Sequence, residues 1–270
     1  PGAVSEEISG IPFYRRITDL EAHFDEKKEE LVEILQTLLK MIFRPENLMV
    51  DFVGEEKAVG LLDAPVEAFK AALYTGSVEK EHYIPEVSRK NEGFLTSGQV
   101  NYVCRAGNFR KSGLNYTGAL RVLKVMLGYE YLWVNVRVKG GAYGCMCSFG
   151  RSGDSYFVSY RDPNLGRTID IYEKAADAIA EFTADERTMT QYIIGAVSDL
   201  DVPMNPAAKG LYSLSAYMTG LDDAALQRER EELLSATVDD IRALSAHIRA
   251  FMQEDLLCVV GTASKVKEEQ

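Results

Sequence analysis

The chain of 270 residues has a formal net charge of −11, with 41 acidic against 30 basic residues. Binding to nucleic-acid phosphates requires clustered lysine and arginine, and here the basic residues are interleaved with acids, so no nucleic-acid partner is predicted. No apolar run approaches the roughly 18 residues of a membrane-spanning helix, so no membrane partner is predicted either. Pro1 stands where an initiator methionine is expected, and we therefore expect a piece of a longer protein.

The first part of the chain predicts a helix followed by a strand. Apolar residues recur at three- and four-residue spacing from Asp25 to Phe43, which indicates an amphipathic helix that ends before Pro45. The stretch Leu48–Val53 predicts a short buried strand. A polar connector without apolar periodicity occupies residues 76–92, so we expect one domain to end near residue 75 and another to span 93–270.

The second domain begins with strands and ends with helices. Strands are predicted at Phe94–Leu95, Gln99–Arg105, Ala142–Phe149 and Ser155–Tyr160. Helices are predicted at Tyr116–Leu127, Arg167–Phe182, Asp185–Leu200, Pro206–Met218 and Asp223–Leu234. Thr237 is predicted to cap a last helix, with Asp240 at its third position. This order favours an α/β (α+β) domain in which an antiparallel sheet packs against helices.

Two segments of the chain resemble each other. The first is VEILQTLLKMIFRPENLMVDFVG, which ends at Gly54, and the second is VDDIRALSAHIRAFMQEDLLCVVG, which ends at Gly261. Both predict a helix, an acid-containing turn, a strand and a glycine. A spacing of about 200 residues suits a duplicated domain, although any helix and strand ending in glycine would give the same pattern.

The four cysteines predict no metal or redox motif. Cys104, Cys145, Cys147 and Cys258 form no C-x-x-C pair. Cys145 and Cys147 are two residues apart in a predicted strand and therefore project from one face. We expect reduced structural thiols in a reducing compartment.

The three histidines also offer little chemistry. His23 begins the sequence HFDEK, which departs by one residue from H-x-x-E-H, a helical zinc signature. Lys27 stands in place of the second histidine, and its ammonium group would repel a metal ion, so no metal site is predicted. Neither His82 nor His247 accompanies a serine or cysteine nucleophile motif such as G-x-S-x-G.

The stretch RVKGGAYG, residues 137–144, carries the most distinctive pair of polar residues. Its glycines match no phosphate-binding motif. Gly140 and Gly141 would permit a sharp turn that brings Arg137 and Tyr143 to one space. There the arginine could bind a carbonyl or carboxylate, and the tyrosine could donate to an oxygen that gains negative charge. The alternative explanation is structural: Arg137 would pair with a neighbouring acid, and Tyr143 would close the core.

Four blocks in chain order carry a resemblance to a known family. They are SGIPFYRRITDLEAHFDEKKEEL, RKNEGFLTSGQVNYV, YLWVNVRVKGGAYG and FVSYRDPNLGRTIDIYEKAADAI. Together they resemble the C-terminal half of the presequence-protease branch of the insulinase (pitrilysin-like, peptidase M16) family of zinc metallopeptidases.

The resemblance implies a peptidase with four similar α/β sandwich domains, whose two halves close around an unfolded peptide. It implies that residues 1–75 end the third domain and that residues 93–270 form the fourth. The zinc cofactor would belong to the N-terminal half, which would be the partner of this chain. By their match to the motif, Arg137 would bind the substrate and Tyr143 would both bind it and act in catalysis. The chain alone would be inactive and would bind no zinc.

Two other functions stay open at this point. The parent could be an inactive scaffold or interaction subunit of the same fold, or the chain could be a free-standing module that binds an anion or a nucleotide. The expected location is the bacterial cytoplasm, with mitochondria or another organelle as the alternative.

Overall fold

The computed structural model describes residues 2–79, residue 84 and residues 91–268. Within these ranges no helix has the length and apolar character needed to cross a membrane. The chain divides into two compact units, one drawn from Pro1–Ser88 with Met204–Ser215 and the other from Arg89–Pro203 with Ala216–Gln270. Most of the predicted connector, residues 76–92, lies outside the described residues.

The described part of the first unit contains helices joined by irregular segments, and no strand. Its helices are α1 (Gly2–Ser9), α2 (Ile11–Ala22), α3 (Phe24–Ile42) and α4 (Asp63–Ala71). The predicted amphipathic helix is confirmed as α3, whose first turn contains Asp25 and Glu26. These acids favour that end of a helix because they complement its partial positive charge. The helix ends at Ile42, because Arg44 directly precedes Pro45 and a residue in that position disfavours helical dihedral angles.

The predicted strand Leu48–Val53 is wrong. These residues form no strand, and Met49, Val50 and Val53 are exposed. A strand requires partners, and the described part of this unit contains no sheet for it to join. The predicted match between the segments that end at Gly54 and Gly261 is therefore wrong for the strand. The first segment contains the end of a long helix and no strand, and the second contains a broken helix followed by a strand.

The second unit contains one five-stranded sheet. Its strands are β1 (Glu92–Thr96), β2 (Asn101–Asn108), β3 (Gly144–Phe149), β4 (Asp154–Asp162) and β5 (Leu256–Thr262). They lie in the order β1-β5-β2-β4-β3. All neighbours pair antiparallel except β1 and β5, which pair parallel. The long chain between β1 and β5 permits the crossover that a parallel pair needs. The sheet is therefore mixed, and the predicted α/β class is confirmed.

Helices of the second unit follow the predicted positions closely. They are α5 (Ala119–Met126), α6 (Gly166–Glu173), α7 (Ala175–Ala180), α8 (Glu186–Leu200), α10 (Asp223–Leu234), α11 (Val238–Ala243), α12 (Ser245–Met252) and α13 (Ala263–Glu268). Helix α9 (Pro206–Thr219) is divided between the two units. The cap at Thr237 is confirmed, because its side chain and that of Asp240 bond each other's backbone N–H groups at the start of α11. Two further helices follow α11, so it is not the last one.

The core lies between the helices and one face of the sheet. Helix α5 buries one side of its amphipathic surface, and Phe157 of β4 contacts the rings of Tyr172 and Phe251. Burial alternates along β4, as the twofold period of a strand requires: Phe157 and Ser159 are buried, whereas Tyr156 and Tyr160 are exposed. The sheet therefore presents an open face that is rich in tyrosine.

Close packing of β2 against α12 generates a testable prediction. A Cβ atom at Gly107 would lie 2.0 Å from the carbonyl oxygen of Phe251. We expect Gly107→Ala to lower the free energy of unfolding by about 1–3 kcal/mol, because backbone must move to admit the methyl group. Urea denaturation followed by the fluorescence of Trp133, the only tryptophan, measures this.

Gly128→Ala is the matched control for this variant. A Cβ atom there has no other atom within 4 Å, so the control should change the free energy of unfolding by no more than about 0.5 kcal/mol. Equal stability of the two variants would contradict the close approach at Gly107.

Candidate functional site

A π-helix leads into the RVKGGAYG stretch. It spans Leu127–Val138, directly after α5. Its i→i+5 hydrogen bonds widen the turn, so side chains four and five residues apart lie on one face. Leu127, Leu132 and Val136 are fully buried at these spacings. The sequence prediction ended the helix at Leu127, and the five-residue gap between Leu127 and Leu132 was the available signal for the wider continuation.

The π-helix ends in the glycine turn that the sequence predicted. Gly141 has φ of 84°, and its N–H donates to the carbonyl oxygen of Arg137 at 2.8 Å, which is an αL-type helix ending. Gly140 approaches the preceding turn so closely that a Cβ atom would lie 2.3 Å from the carbonyl oxygen of Val136. Each glycine is therefore required by the backbone, one for its dihedral angle and the other for space.

The loop after β4 holds this turn in place. The side-chain amide of Asn164 donates to the carbonyl oxygen of Gly140 at 2.6 Å. Asp162 is fully buried and accepts hydrogen bonds from the backbone N–H of Asn164 and the hydroxyl group of Thr168. A buried carboxylate with several donors fixes its neighbours strongly. Asp162, Asn164 and Thr168 all belong to the fourth block quoted above. That block therefore contacts the glycine turn, which belongs to the third block.

Arg137 lies against aromatic rings. Its guanidinium carbon lies 4.0 Å from the centre of the Trp133 ring and 5.8 Å from that of Tyr143, both within cation–π range. Within the described ranges, no carboxylate forms an ion pair with Arg137. The structure therefore brings the predicted pair together, and for the described residues the alternative of an arginine paired with an acid is wrong.

Tyr143 lies at the surface and is held through its backbone and one edge of its ring. Its N–H donates to the carbonyl oxygen of Tyr160 at 3.1 Å, so it extends the pairing of β3 with β4. Its side chain is 65% exposed, and among the described residues its hydroxyl has no hydrogen-bond partner. Tyr143 does not close the core, so that alternative is wrong as well.

Sequence reasoning missed two tyrosines beside this pair. The ring of Tyr160 contacts Tyr143 edge to face at 5.8 Å between centres, and Tyr102 contacts Tyr160 at 5.3 Å. Alternation along β4 could have assigned Tyr160 to the open face. The neighbourhood of Tyr102 depends on strand order, which the sequence did not reveal. Arg161 follows with φ of 49°, a strained conformation for a residue with a side chain.

The cysteines near the site are poor nucleophiles. Burial raises the pKa of Cys145 to about 11, and the nearby positive charge of Arg137 only partly opposes this. Burial raises the pKa of Cys147 to about 12. Both side chains face the core side of β3, as their spacing predicted, and all four cysteines have free thiols. A thiolate is the reactive form, so these groups are not suited to catalysis near neutral pH.

The two described histidines, His23 and His247, contribute nothing to this site. His23 lies exposed between α2 and α3 and contacts Asp19, and His247 contacts the carbonyl oxygen of Asn115. His82 lies outside the described residues. Across residues 2–79 and 91–268, no group of three or more His, Cys, Asp or Glu side chains could hold a metal ion. The described residues therefore do not fit a zinc ion.

Comparison with known families identifies the family of the second unit. Residues 91–265 match the family described as the PreP C-terminal domain. The chain belongs to this family. The match contains the π-helix, the glycine turn and the loop that holds it. It confirms the presequence-protease resemblance for the last three blocks, whereas the first block lies outside the matched residues.

Curated relatives extend the similarity to nearly the whole chain. The protein HypA of Clostridium perfringens is 38% identical over 269 residues, which are 100% of this chain and 27% of that protein. Presequence protease 1 of Arabidopsis thaliana, described as chloroplastic/mitochondrial, is 31% identical over 98% of this chain and 25% of its own length. The chain thus spans about a quarter of each of these relatives.

Solved structures support the fold. The peptidase M16 inactive domain from Pseudomonas fluorescens matches with a TM-score of 0.52 at 15% identity, over 76% of this chain and 51% of that one. A conserved protein from Enterococcus faecalis V583 matches with a TM-score of 0.53 at 15% identity, over 78% of this chain and 50% of that one. At these identities the similarity concerns the fold alone.

The dihedral angle of Gly141 yields a prediction for the site. Gly141→Ala should lower the free energy of unfolding by about 1–2 kcal/mol, because a side chain is unfavourable at positive φ. The nearest other atom to such a Cβ is Pro163 Cγ at 3.4 Å, so backbone strain and not a clash causes the loss. Urea denaturation measures it. Gly144→Ala is the control: its Cβ has no other atom nearer than 4.0 Å, so stability should hardly change.

Proposed function

We propose that this chain is the C-terminal, metal-free part of a zinc endopeptidase that degrades unfolded peptides in a closed chamber, and that Arg137 and Tyr143 contact the substrate. One observation carries the assignment. A guanidinium and a phenol lie side by side, and within the described ranges neither has a structural hydrogen-bond partner. Polar groups without a structural task, held on a rigid turn, are candidates for binding.

Each side chain would have a distinct task at the scissile amide. The Tyr143 hydroxyl would donate a hydrogen bond to the oxygen that becomes negative when the amide is attacked. Arg137 would donate to a backbone carbonyl of the bound peptide, which holds it in both the ground state and the transition state. Zinc and the glutamate that activates water would belong to the N-terminal half of the same polypeptide, the partner of this chain.

We further propose that residues 1–75 end the third domain of the parent and that 93–270 form the fourth, joined by 76–92. The second compact unit begins at Arg89, which supports the later boundary. The first unit leaves apolar side chains of α3 uncovered, including Leu35, Leu39 and Ile42, which supports its being part of a larger domain. The relatives include a bacterial protein and an organellar one, so a bacterial cytoplasmic location stays a prediction.

Conservative replacement of Tyr143 tests the catalytic role. In the full-length protein, Tyr143→Phe should lower kcat on an unstructured peptide by about 100-fold to 1,000-fold, the usual cost of losing one such donor. The ring contacts remain, so Tm should hardly change. Tyr129→Phe is the matched control, since Tyr129 is also strongly exposed in this region but lies at the other end of the π-helix. An undiminished kcat for Tyr143→Phe would remove the assignment and favour an inactive scaffold.

Trp133 provides a test of how Arg137 is positioned. Trp133→Leu should raise KM by about threefold to tenfold in the full-length protein, because it removes a cation–π contact worth roughly 0.5–2 kcal/mol. Because Arg137 is proposed to act mainly in binding, kcat should change less than KM. Trp133→Phe keeps an aromatic face and should restore most of the affinity. A Leu variant that loses only stability, with KM unchanged, would contradict the positioning role.

A further inference from the structure

A polar cavity lies away from the Arg137 and Tyr143 pair. It has a volume of about 230 Å³ and lies between α5 and the far end of β3. Its lining residues are Tyr116, Leu120, Arg121, Lys124, Ser148, Phe149, Gly150 and Arg151. We name it the Arg121 pocket. Tyr143 precedes β3 and Phe149 ends it, so at the usual rise per residue the two sites are roughly 20 Å apart.

Three cations line this pocket in a chain whose net charge is −11. Two carboxylates approach them. Glu229 binds Arg151 through two parallel hydrogen bonds of 2.7 Å, and Asp199 lies 3.7 Å from the ammonium group of Lys124. Both partners of the Lys124 contact are at least half exposed, so the contact contributes little. Among the described groups, a positive charge is therefore left over at the pocket.

Arg121 has an unsatisfied donor at this pocket. Its Nε–H is buried, and no described group accepts a hydrogen bond from it. The described residues also form no ion pair with Arg121. A buried donor without an acceptor costs free energy that a suitable acceptor would recover. Burial raises the pKa of the neighbouring Tyr116 phenol, whereas the positive charges of Arg121 and Arg151 and a hydrogen bond with Arg121 oppose that rise.

We propose that the Arg121 pocket binds a small, multiply charged oxyanion through Arg121 and Lys124. The planar guanidinium matches the geometry of phosphate and carboxylate oxygens, and the ammonium adds a point charge. Its volume is below that of typical drug-sized ligand sites, which favours a compact anion over a polymer segment. Phosphates and small polycarboxylates share this chemistry, and the test separates them.

Titration of the full-length protein tests the proposal. Sodium pyrophosphate and sodium citrate are added at constant ionic strength and followed by calorimetry and by Tm, with sodium chloride as the reference. At least one probe should bind saturably and raise Tm, because a ligand that binds only the folded state stabilises it. Binding of pyrophosphate alone identifies a phosphate site, and binding of citrate alone identifies a carboxylate site.

Variants locate the binding. The double variant Arg121→Gln/Lys124→Gln should raise the Kd of the bound anion by roughly tenfold or more, because charged hydrogen bonds to it are lost. Lys174→Gln/Arg187→Gln removes the same charge from exposed positions elsewhere and should leave Kd nearly unchanged. Arg121→Lys keeps the charge without the planar donors and should give an intermediate Kd, which guards against a double variant that fails to fold. No saturable binding, or equal Kd in wild type and the Arg121 variants, would overturn the proposal.

Discussion

The hydrogen bond from Asn164 to the carbonyl oxygen of Gly140 connects the parts on which the candidate site depends. It joins the end of the π-helix to the loop after β4, and buried Asp162 holds the donor in turn. It adds a side-chain contact to the backbone hydrogen bond by which Tyr143, just after the turn, pairs with Tyr160. The distance between Arg137 and Tyr143 follows from the turn, because one precedes it and the other follows it. The buried carboxylate of Asp162 and the amide of Asn164 thus help to position Arg137 and Tyr143 without needing to contact a ligand themselves.

Much of the second unit could be predicted from sequence because its elements obey simple periodicities. Thr237 and Asp240 form the expected cap, and β4 alternates as a half-buried strand should. The predicted strand Leu48–Val53 is absent, because local periodicity does not reveal strand pairing. A short apolar run indicates burial but does not show that partner strands exist, and the described part of the first unit offers none. Pairing is a property of the whole fold, so local pattern could not decide it.

The candidate site was predictable as a pair of residues but not as an arrangement. Glycines indicated the turn between Arg137 and Tyr143, and the turn is present. Whether the pair was structural depended on exposure and on partners, which sequence does not reveal. The π-helix was missed because its five-residue spacing resembles ordinary irregularity in an apolar run. Tyr160 and Tyr102 approach each other through strand order, which no local signal contains.

The choice of an aromatic partner for Arg137 has a chemical consequence. A carboxylate would occupy the N–H donors at the edge of the guanidinium and would compete with any incoming carbonyl oxygen. The ring of Trp133 instead attracts the cation electrostatically and accepts no hydrogen bond along that edge. The side chain is therefore ordered while its donors stay available. Arg151 shows the opposite arrangement, since Glu229 binds its donors through two parallel hydrogen bonds. Arg151 therefore has a structural partner, whereas the described residues leave the donors of Arg137 available for the substrate contact proposed above.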